Sequence, residues 1–432
     1  MKISIFGAGY VGLVTSACLA DLGHLVLCVD TDTHKIESLT HGQIPFFEPG
    51  LDSLVKKTYA KGKLRFTSDS REAVEFGDVI FICVGTPSLA TGEADVRAVL
   101  DVATVVARHI NGYKVVVVKS TVPPGTTRKV YDIIKQHCER PFDVVANPEF
   151  LREGVALRAF QYPDKIVVGA ASDKAVEIMR KVYSGRMRTY LPLVDTNWET
   201  AELIKYASNC FLAMKISLAN EFANLCDIVG ADIKTLAFAL GLDNRIGPRF
   251  LNAGVGYGGS CFPKDVHAIA HFARKHGYTA SLIEGIEAFN ERQKNKINEK
   301  IAAVFGNVRG KTFCVWGLSF KPGTSDMRAA PSIAIVQKLL HDGASVRVYD
   351  PEATDEARKI FGDHVVYCGS AEEAAQGSDA ILLVTEWDEF RNVDLGSIRA
   401  SMKGNKLFDG RNIYEPHAVR DEGFEYYGMG KN

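Results

Sequence analysis

Residues 2–30 read K-I-S-I-F-G-A-G-Y-V-G-L-V-T-S-A-C-L-A-D-L-G-H-L-V-L-C-V-D. Lys2–Phe6 is short and apolar, Gly7–Gly12 is a glycine-rich turn, and Val11–Leu22 spaces its apolar residues with helical periodicity. Gly23 ends that helix, and Leu25–Val29 is a second apolar run closed by Asp30. Strand, turn, helix and strand in this order make a βαβ unit. Working outward, strand-like runs recur at Val79–Val84, Val115–Val118, Val144–Ala146 and Ile166–Val168, with helical segments between several of them. Such alternation predicts a mostly parallel sheet covered on both faces, an α/β fold.

The turn carries a chemical expectation. Gly7 permits its tightness, Gly9 lets backbone approach a pyrophosphate, and Gly12 lets helix and strand pack closely. The helix N-terminus then faces the phosphates of a dinucleotide. Asp30 should accept hydrogen bonds from the adenosine ribose. A carboxylate there repels a 2′-phosphate and no arginine follows directly, so the expected cofactor is NAD. Lys35 could reach the same ribose or be a solvated helix charge. Gly85-Thr86-Pro87 and Ser120–Thr126 each follow a strand, where open α/β sheets bind ligands. Thr86 and Thr121 are therefore candidate cofactor contacts.

The first pattern returns near the C-terminus. Phe313–Leu318 echoes Ile3–Ala8, Leu339–Asp350 echoes Leu19–Asp30, and Gly377–Thr385 echoes Gly77–Gly85. Three matches in one order predict two nucleotide-binding folds flanking a middle segment, with divisions at 1–196, 197–300 and 311–432. In the middle, Thr200–Val229 is a nearly uninterrupted helical pattern. Its apolar stripe, including Leu203, Phe211, Leu218, Phe222, Leu225 and Ile228, is too broad for one wet face. Either both domains or a partner subunit should bury it.

Gly256-Tyr257-Gly258-Gly259-Ser260-Cys261-Phe262-Pro263-Lys264-Asp265 sets one cysteine on a glycine-rich turn. Gly258 and Gly259 allow close approach of backbone and ligand, and Pro263 fits the first turn of a helix over Lys264–Lys275. A thiol beside a helix N-terminus and a lysine has its thiolate favoured. Such a thiol can hold an aldehyde as a thiohemiacetal, from which a second hydride can leave. Lys205 and Asn209, four apart on the long helix, share a face. Lys205 could stabilise an oxyanion and Asn209 fix a substrate hydroxyl. Asn147–Gly154 follows a strand and is read as placing Glu149 and Glu153 one helical turn apart. Glu149 is a candidate base for water, Glu153 is expected to face the cofactor, and Asp265 is the alternative base.

Composition sets bounds. At 432 residues the chain exceeds one ordinary core. Fifty-one basic against 52 acidic side chains, with no basic tail, argue against nucleic acid as a partner. An anionic substrate would have to be held by a few placed cations. No export signal opens the sequence and no apolar run approaches bilayer length, so no membrane partner is expected. The nine cysteines are odd in number and never spaced C-x-x-C, which suggests neither a disulfide framework nor a zinc or other metal site. Cys18, Cys28, Cys83, Cys226 and Cys314 lie in apolar runs and read as core residues. A reducing cytoplasm fits all of this.

These motifs together resemble the UDP-glucose/GDP-mannose dehydrogenase family along essentially the whole chain. The resemblance is carried by G-A-G-Y-V-G at Gly7–Gly12, V-G-T-P at Val84–Pro87, S-T-V-P-P-G-T at Ser120–Thr126 and N-P-E-F-L-R-E-G at Asn147–Gly154. It continues through A-E-L-I-K-Y-A-S-N at Ala201–Asn209, N-R-I-G at Asn244–Gly247, the cysteine motif at Gly256–Asp265, and F-K-P-G-T-S-D-M-R at Phe320–Arg328. It implies two Rossmann-like doubly wound domains joined by a long central helix that forms the core of a homodimer or higher homo-oligomer. NAD would be held by Val11, with Tyr10 beside it, and by Asp30, Lys35, Thr86, Thr121, Glu153, Lys264 and Arg328. Thr121 also counts among the catalytic positions. The nucleotide sugar would be held by Glu149, Phe150, Leu151, Arg152, Glu153, Lys205 and Asn209, then by Phe250, Leu251, Asn252, Ala253, Gly254, Tyr257, Gly258 and Lys321. Arg245 would reach a neighbouring subunit's site, and Arg411 would approach the substrate. The implied reaction oxidises UDP-glucose at C6 to UDP-glucuronate through a thiohemiacetal and a thioester on Cys261, forming two NADH. GDP-mannose is the alternative substrate. One departure stands out: Ser325-Asp326 replaces the usual acidic pair, and Ala329 follows Arg328.

Overall fold

A computed structural model describes residues 1–184 and 192–431, which form two compact units. The first comprises Met1–Ser208 with His271–Gly277, and the second Asn209–Ala270 with Tyr278–Asn432.

The first unit is built on eight strands: β1 Lys2–Phe6, β2 Leu25–Val29, β3 Leu64–Thr67, β4 Val79–Ile82, β5 Lys114–Val118, β6 Phe142–Ala146, β7 Ile166–Ala170 and β8 Leu193–Thr196. They lie in the order β3-β2-β1-β4-β5-β6-β7-β8. All neighbours are parallel except β6 and β7. Alternate residues feed two cores. Ile3, Ile5, Val79, Phe81, Val115 and Val117 face the side packed by Leu13, Val14 and Ala17 of the helix Tyr10–Asp21. Phe6, Ile80, Ile82, Val116 and Val118 face Val99, Ala103 and Val106 of the helix Arg97–His109. Burial on both faces explains why these strands read as unbroken apolar runs.

The second unit repeats the scheme with β9 Thr312–Trp316, β10 Ser345–Tyr349, β11 Val366–Tyr367, β12 Ala380–Leu383, β13 Lys406–Asp409 and β14 Glu425–Gly428. These six are all parallel, in the order β11-β10-β9-β12-β13-β14. That is the strand order of the first six strands of the first sheet. The echo detected in the sequence is therefore a repeat of topology.

The central helix runs Trp198–Val229, two residues longer at its start than the pattern suggested. The helix after the cysteine begins at Phe262 and ends at Lys275, with Pro263 in its first turn. Cys18, Cys28, Cys83, Cys226 and Cys314 are buried, as their apolar surroundings predicted.

Candidate active site

In the first unit the expected residues gather at the carboxyl ends of β1, β2, β4, β5 and β6. The strand order reverses between β1 and β4, which is where open α/β sheets bind ligands. Gly7 has φ +102°, and a Cβ on it would lie 2.8 Å from the Cys83 carbonyl. A Cβ on Gly12 would overlap the Gly7 carbonyl oxygen at 1.7 Å. Around Gly9, by contrast, nothing beyond its own chain neighbours lies within 4 Å of such a carbon. Two of the three glycines are thus required by the fold itself, and the third leaves open space. Gly9 caps the helix Tyr10–Asp21 without any side-chain hydrogen bond, and no acidic residue occupies the first turn. Its N–H groups remain available to an anion.

Asp30 accepts from the Ala8 N–H at 2.8 Å and Lys35 Nζ at 3.1 Å, and its other oxygen accepts from Asp32 N–H. Burial alone would raise its pKa, but the bonds from Ala8, Asp32 and Lys35 hold it below the ordinary value. It stays ionised where a ribose would need an acceptor. Its counterpart Asp350 is spent: its two oxygens accept from the N–H groups of Leu318, Ser319, Glu352 and Ala353 and from the Trp387 indole. Only the first copy keeps a carboxylate suited to a dinucleotide. Open space at Gly9, an uncapped helix end and Asp30 fit NAD.

Thr86 is buried and donates to the Thr121 carbonyl at 2.8 Å, joining the loops after β4 and β5. After β6, Glu149 and Lys205 form a buried ion pair at 2.8 Å, side chains 7% and 4% exposed. Burial pushes the Glu149 pKa up, but Lys205, the Leu151 N–H and the charge of Lys119 together outweigh it, and the net shift is downward. The Lys205 ammonium also lies 5.4 Å from the centre of the Phe150 ring. One expectation needs correction. Residues 147–155 are irregular, with Gly154 at φ +81°, and the next helix begins at Ala156. Glu149 and Glu153 are therefore not one helical turn apart. In place of a helical ladder, the Leu151 N–H goes to Glu149, the Gly154 N–H to Glu48 and the Val155 N–H to the Arg152 carbonyl, and Glu48 also takes the Ala156 N–H where the helix starts.

The second unit carries the cysteine. Of nine cysteines only Cys138 and Cys261 escape burial. Cys138 follows the C-terminal end of the helix Thr126–His137, whereas Cys261 immediately precedes the helix Phe262–Lys275. Its carbonyl accepts the Asp265 N–H at 2.9 Å, and its sulfur lies 3.5 Å from Ser260 Oγ. A helix N-terminus favours negative charge, and of the two accessible thiols Cys261 is the one that stands at such an end. The fully enclosed Cys28 and Cys83 thiols are pushed up to about 12 by burial. Asp265 is 1% exposed and accepts from Asn209 Nδ2 and Lys264 Nζ, both at 2.6 Å. Asn209 is buried one turn after Lys205 on the same helix.

Neighbouring residues have other tasks. A Cβ on Gly258 would meet the Ala329 carbonyl at 2.4 Å, and one on Gly259 the Phe320 ring at 2.7 Å. Protein, rather than ligand, demands glycine at both. Gly254 N–H donates to Asn220 and its carbonyl accepts from Gln293. Both backbone groups of Tyr257 pair with the Asn290 amide. Leu251 and Ala253 are buried, Asn252 is exposed, and Phe250 holds φ +65°, a costly conformation for a bulky residue. Arg411 spends its guanidinium on the carbonyls of Val384, Gly256 and Phe320 and on Glu386. Arg328 and Arg245 are exposed and grip Asp326 and Asp243, and Lys321 lies 5.3 Å from the Phe320 ring centre. The sequence reading missed Glu48, Asn220, Asn290 and Gln293. A glutamate before Pro-Gly, and amides at 290 and 293 in helical register with apolar Ile286, were the available signals.

A mostly parallel sheet with this turn, helix end and carboxylate defines a dinucleotide-binding protein of the Rossmann type. More narrowly, the chain belongs to the UDP-glucose/GDP-mannose dehydrogenase family. Residues 1–186 match that family's NAD binding domain, 199–292 its central domain and 314–416 its UDP binding domain. Its first unit therefore takes NAD. A UDP-glucose 6-dehydrogenase of Rhizobium meliloti is 48% identical over the whole of both chains. One from Bacillus subtilis is 44% identical, covering 100% of this chain and 93% of that one. Among solved structures, a UDP-glucose dehydrogenase of Pyrobaculum islandicum matches with TM-score 0.93 and 36% identity, covering 100% and 98% of the two chains. A GDP-mannose dehydrogenase of Pseudomonas aeruginosa matches with TM-score 0.55 and 30% identity, covering 99% and 100%.

Proposed function

We propose that this chain oxidises UDP-glucose at C6 to UDP-glucuronate in a four-electron reaction, with Cys261 as the covalent nucleophile. The observation that carries this reading is one accessible thiol at a helix N-terminus, beside the hydrogen-bonded chain Asn209–Asp265–Lys264. A one-step alcohol dehydrogenase needs no such thiol. The names of the relatives at 48% and 44% identity support UDP-glucose over GDP-mannose. The GDP-mannose enzyme, at TM-score 0.55, is the more distant likeness.

Bound NAD supplies the hydride acceptor, once for the alcohol and once again for the aldehyde level. Gly7–Gly12 and Asp30 hold it, with Thr86 and Thr121 beside them. As the C6 hydroxyl gives its proton to water and the carbon its first hydride to the bound acceptor, Lys205 donates to the oxyanion that develops. The Cys261 thiolate adds to the aldehyde carbon, and the oxyanion takes a proton to give a thiohemiacetal. Loss of the hydroxyl proton to water and of the second hydride to a second bound acceptor leaves a thioester on the same sulfur. Water then attacks the thioester carbonyl, the C–S bond breaks, and the thiolate is regenerated with the sugar carboxylate. The lowered pKa of Glu149 suits an acceptor that orients water more than a strong base. Asp265, held by Asn209 and Lys264, is the second group able to orient water.

The working unit is proposed to be a homodimer. The central helix leaves Phe211, Leu218 and Leu225 exposed at seven-residue spacing, with Ile228 at 78%, and the helix Ile233–Leu242 adds Phe238 and Leu242. A face of this kind asks for a partner. Among the described residues no helix is long and apolar enough to cross a membrane. Nine free cysteines fit a reducing cytoplasm.

The test is NADH formed per sugar consumed, read by absorbance across UDP- and GDP-sugars at limiting sugar. Two NADH per UDP-glucose, and none with GDP-mannose, is the expected result. One NADH per sugar would refute the four-electron reading.

A further inference from the structure

Glu48, in the segment I-P-F-F-E-P-G, belongs to none of the groups assigned above. It is 5% exposed, so its carboxylate needs strong compensation to remain inside. Three donors supply it. One oxygen accepts from the Tyr10 hydroxyl at 2.6 Å and from the Gly154 N–H at 2.7 Å, and the other accepts from the Ala156 N–H at 2.7 Å. Hydrogen bonds to an ionised acceptor are about twice as strong as neutral ones.

These donors come from two places with different tasks. Tyr10 is the first residue of the helix whose N-terminus faces the expected pyrophosphate, and its ring packs on Phe46 with centroids 5.2 Å apart. Gly154 lies near the end of the irregular loop 147–155, Ala156 opens the helix that follows, and within the loop the Glu149 carboxylate takes the Leu151 N–H. Burial pushes the Tyr10 hydroxyl pKa up, the bond to Glu48 adds to this, and the charges of Glu153 and Glu149 contribute. The tyrosine therefore remains a donor, close to both loop carboxylates. A single oxygen of Glu48 joins the dinucleotide turn to the Glu149–Glu153 segment, so a shift of Tyr10 on cofactor binding must be felt at Gly154.

We propose that Glu48 is a positioning residue that couples occupancy of the dinucleotide turn to the geometry of the loop carrying Glu149 and Glu153. The inference rests on the functional reading above. Its consequence is that cofactor and nucleotide sugar each tighten the other's binding, with Glu48 as the link. Linkage requires the two effects to be equal.

Calorimetry with NADH and UDP-glucose tests this, because that pair binds without turnover. The readout is the ratio of the UDP-glucose Kd without NADH to that with saturating NADH. In the wild type the ratio should be at least about fivefold, within the usual range for coupled sites. In Glu48→Gln it should fall below about twofold, because a carboxamide cannot accept from all three donors. Tyr10→Phe, which removes one hydroxyl, should lower the ratio equally, and the double variant should fall no further. Should Glu48→Gln fail to fold, Tyr10→Phe decides alone. A residue that merely stabilises the fold would lower Tm and leave the ratio intact. A wild-type ratio near one, or a ratio unchanged in both single variants, would overturn the proposal. A wild-type chain that binds neither ligand would overturn the functional reading, and this inference with it.

Discussion

The Glu149–Lys205 pair shows how little freedom the buried charges have. Replacing Glu149 by Gln leaves a buried ammonium without its counter-ion, which costs about 3–5 kcal/mol when one partner of a buried pair is lost. Urea denaturation should show this loss, and Glu149→Gln with Lys205→Met should recover part of it. The pH dependence follows from the downward shift of Glu149. In the unfolded chain its carboxyl titrates near the ordinary value of 4.5, whereas in the folded chain it holds its charge to lower pH. The pair thus stabilises fully above about pH 4.5 and progressively less as pH falls through the folded pKa. Melting temperatures of the wild type should drop in that acid window more steeply than those of Glu149→Gln. Equal slopes would mean that the pair makes no such contribution.

Among elements, the segment Gly254–Tyr257 is the most constrained. Gly254 is fixed by Asn220 and Gln293, Val255 N–H donates to the Gly410 carbonyl, and Tyr257 pairs twice with Asn290 at 2.9 and 3.0 Å. Asn290→Ala would leave two buried backbone groups unpaired, at about 1–3 kcal/mol each. Asn290→Asp should be at least as harmful, since it sets a second acceptor against the Tyr257 carbonyl. Thermal unfolding should rank both below the wild type, with UDP-glucose oxidation falling as the approach to Cys261 loosens. Helices were legible because burial on one face writes itself into periodicity, and strands because burial on both faces gives unbroken apolar runs, as in the all-buried β5. The loop 147–155 was not. Its backbone is satisfied by Glu48, more than a hundred residues earlier in the chain, and no local pattern reveals such a partner.

For the whole molecule, duplication was legible because Asp30 and Asp350 close equivalent strands, yet their different duties were not. What separates them is the Trp387 indole and the Ser319 hydroxyl that consume Asp350, contacts made only in the folded chain. The exposed apolar face of the central helix predicts association. Phe211→Lys with Leu218→Lys should shift the mass measured by analytical ultracentrifugation from dimer to monomer, and an unchanged mass would count against that face as the interface. The proposed four-electron oxidation requires Cys261 to become covalently attached to the sugar during turnover. Acid formation by Cys261→Ala, followed by mass spectrometry of UDP-glucuronate, addresses this most directly. The prediction is a loss of at least about a thousandfold, the scale on which an essential nucleophile acts. UDP-glucuronate appearing at the wild-type rate would contradict it.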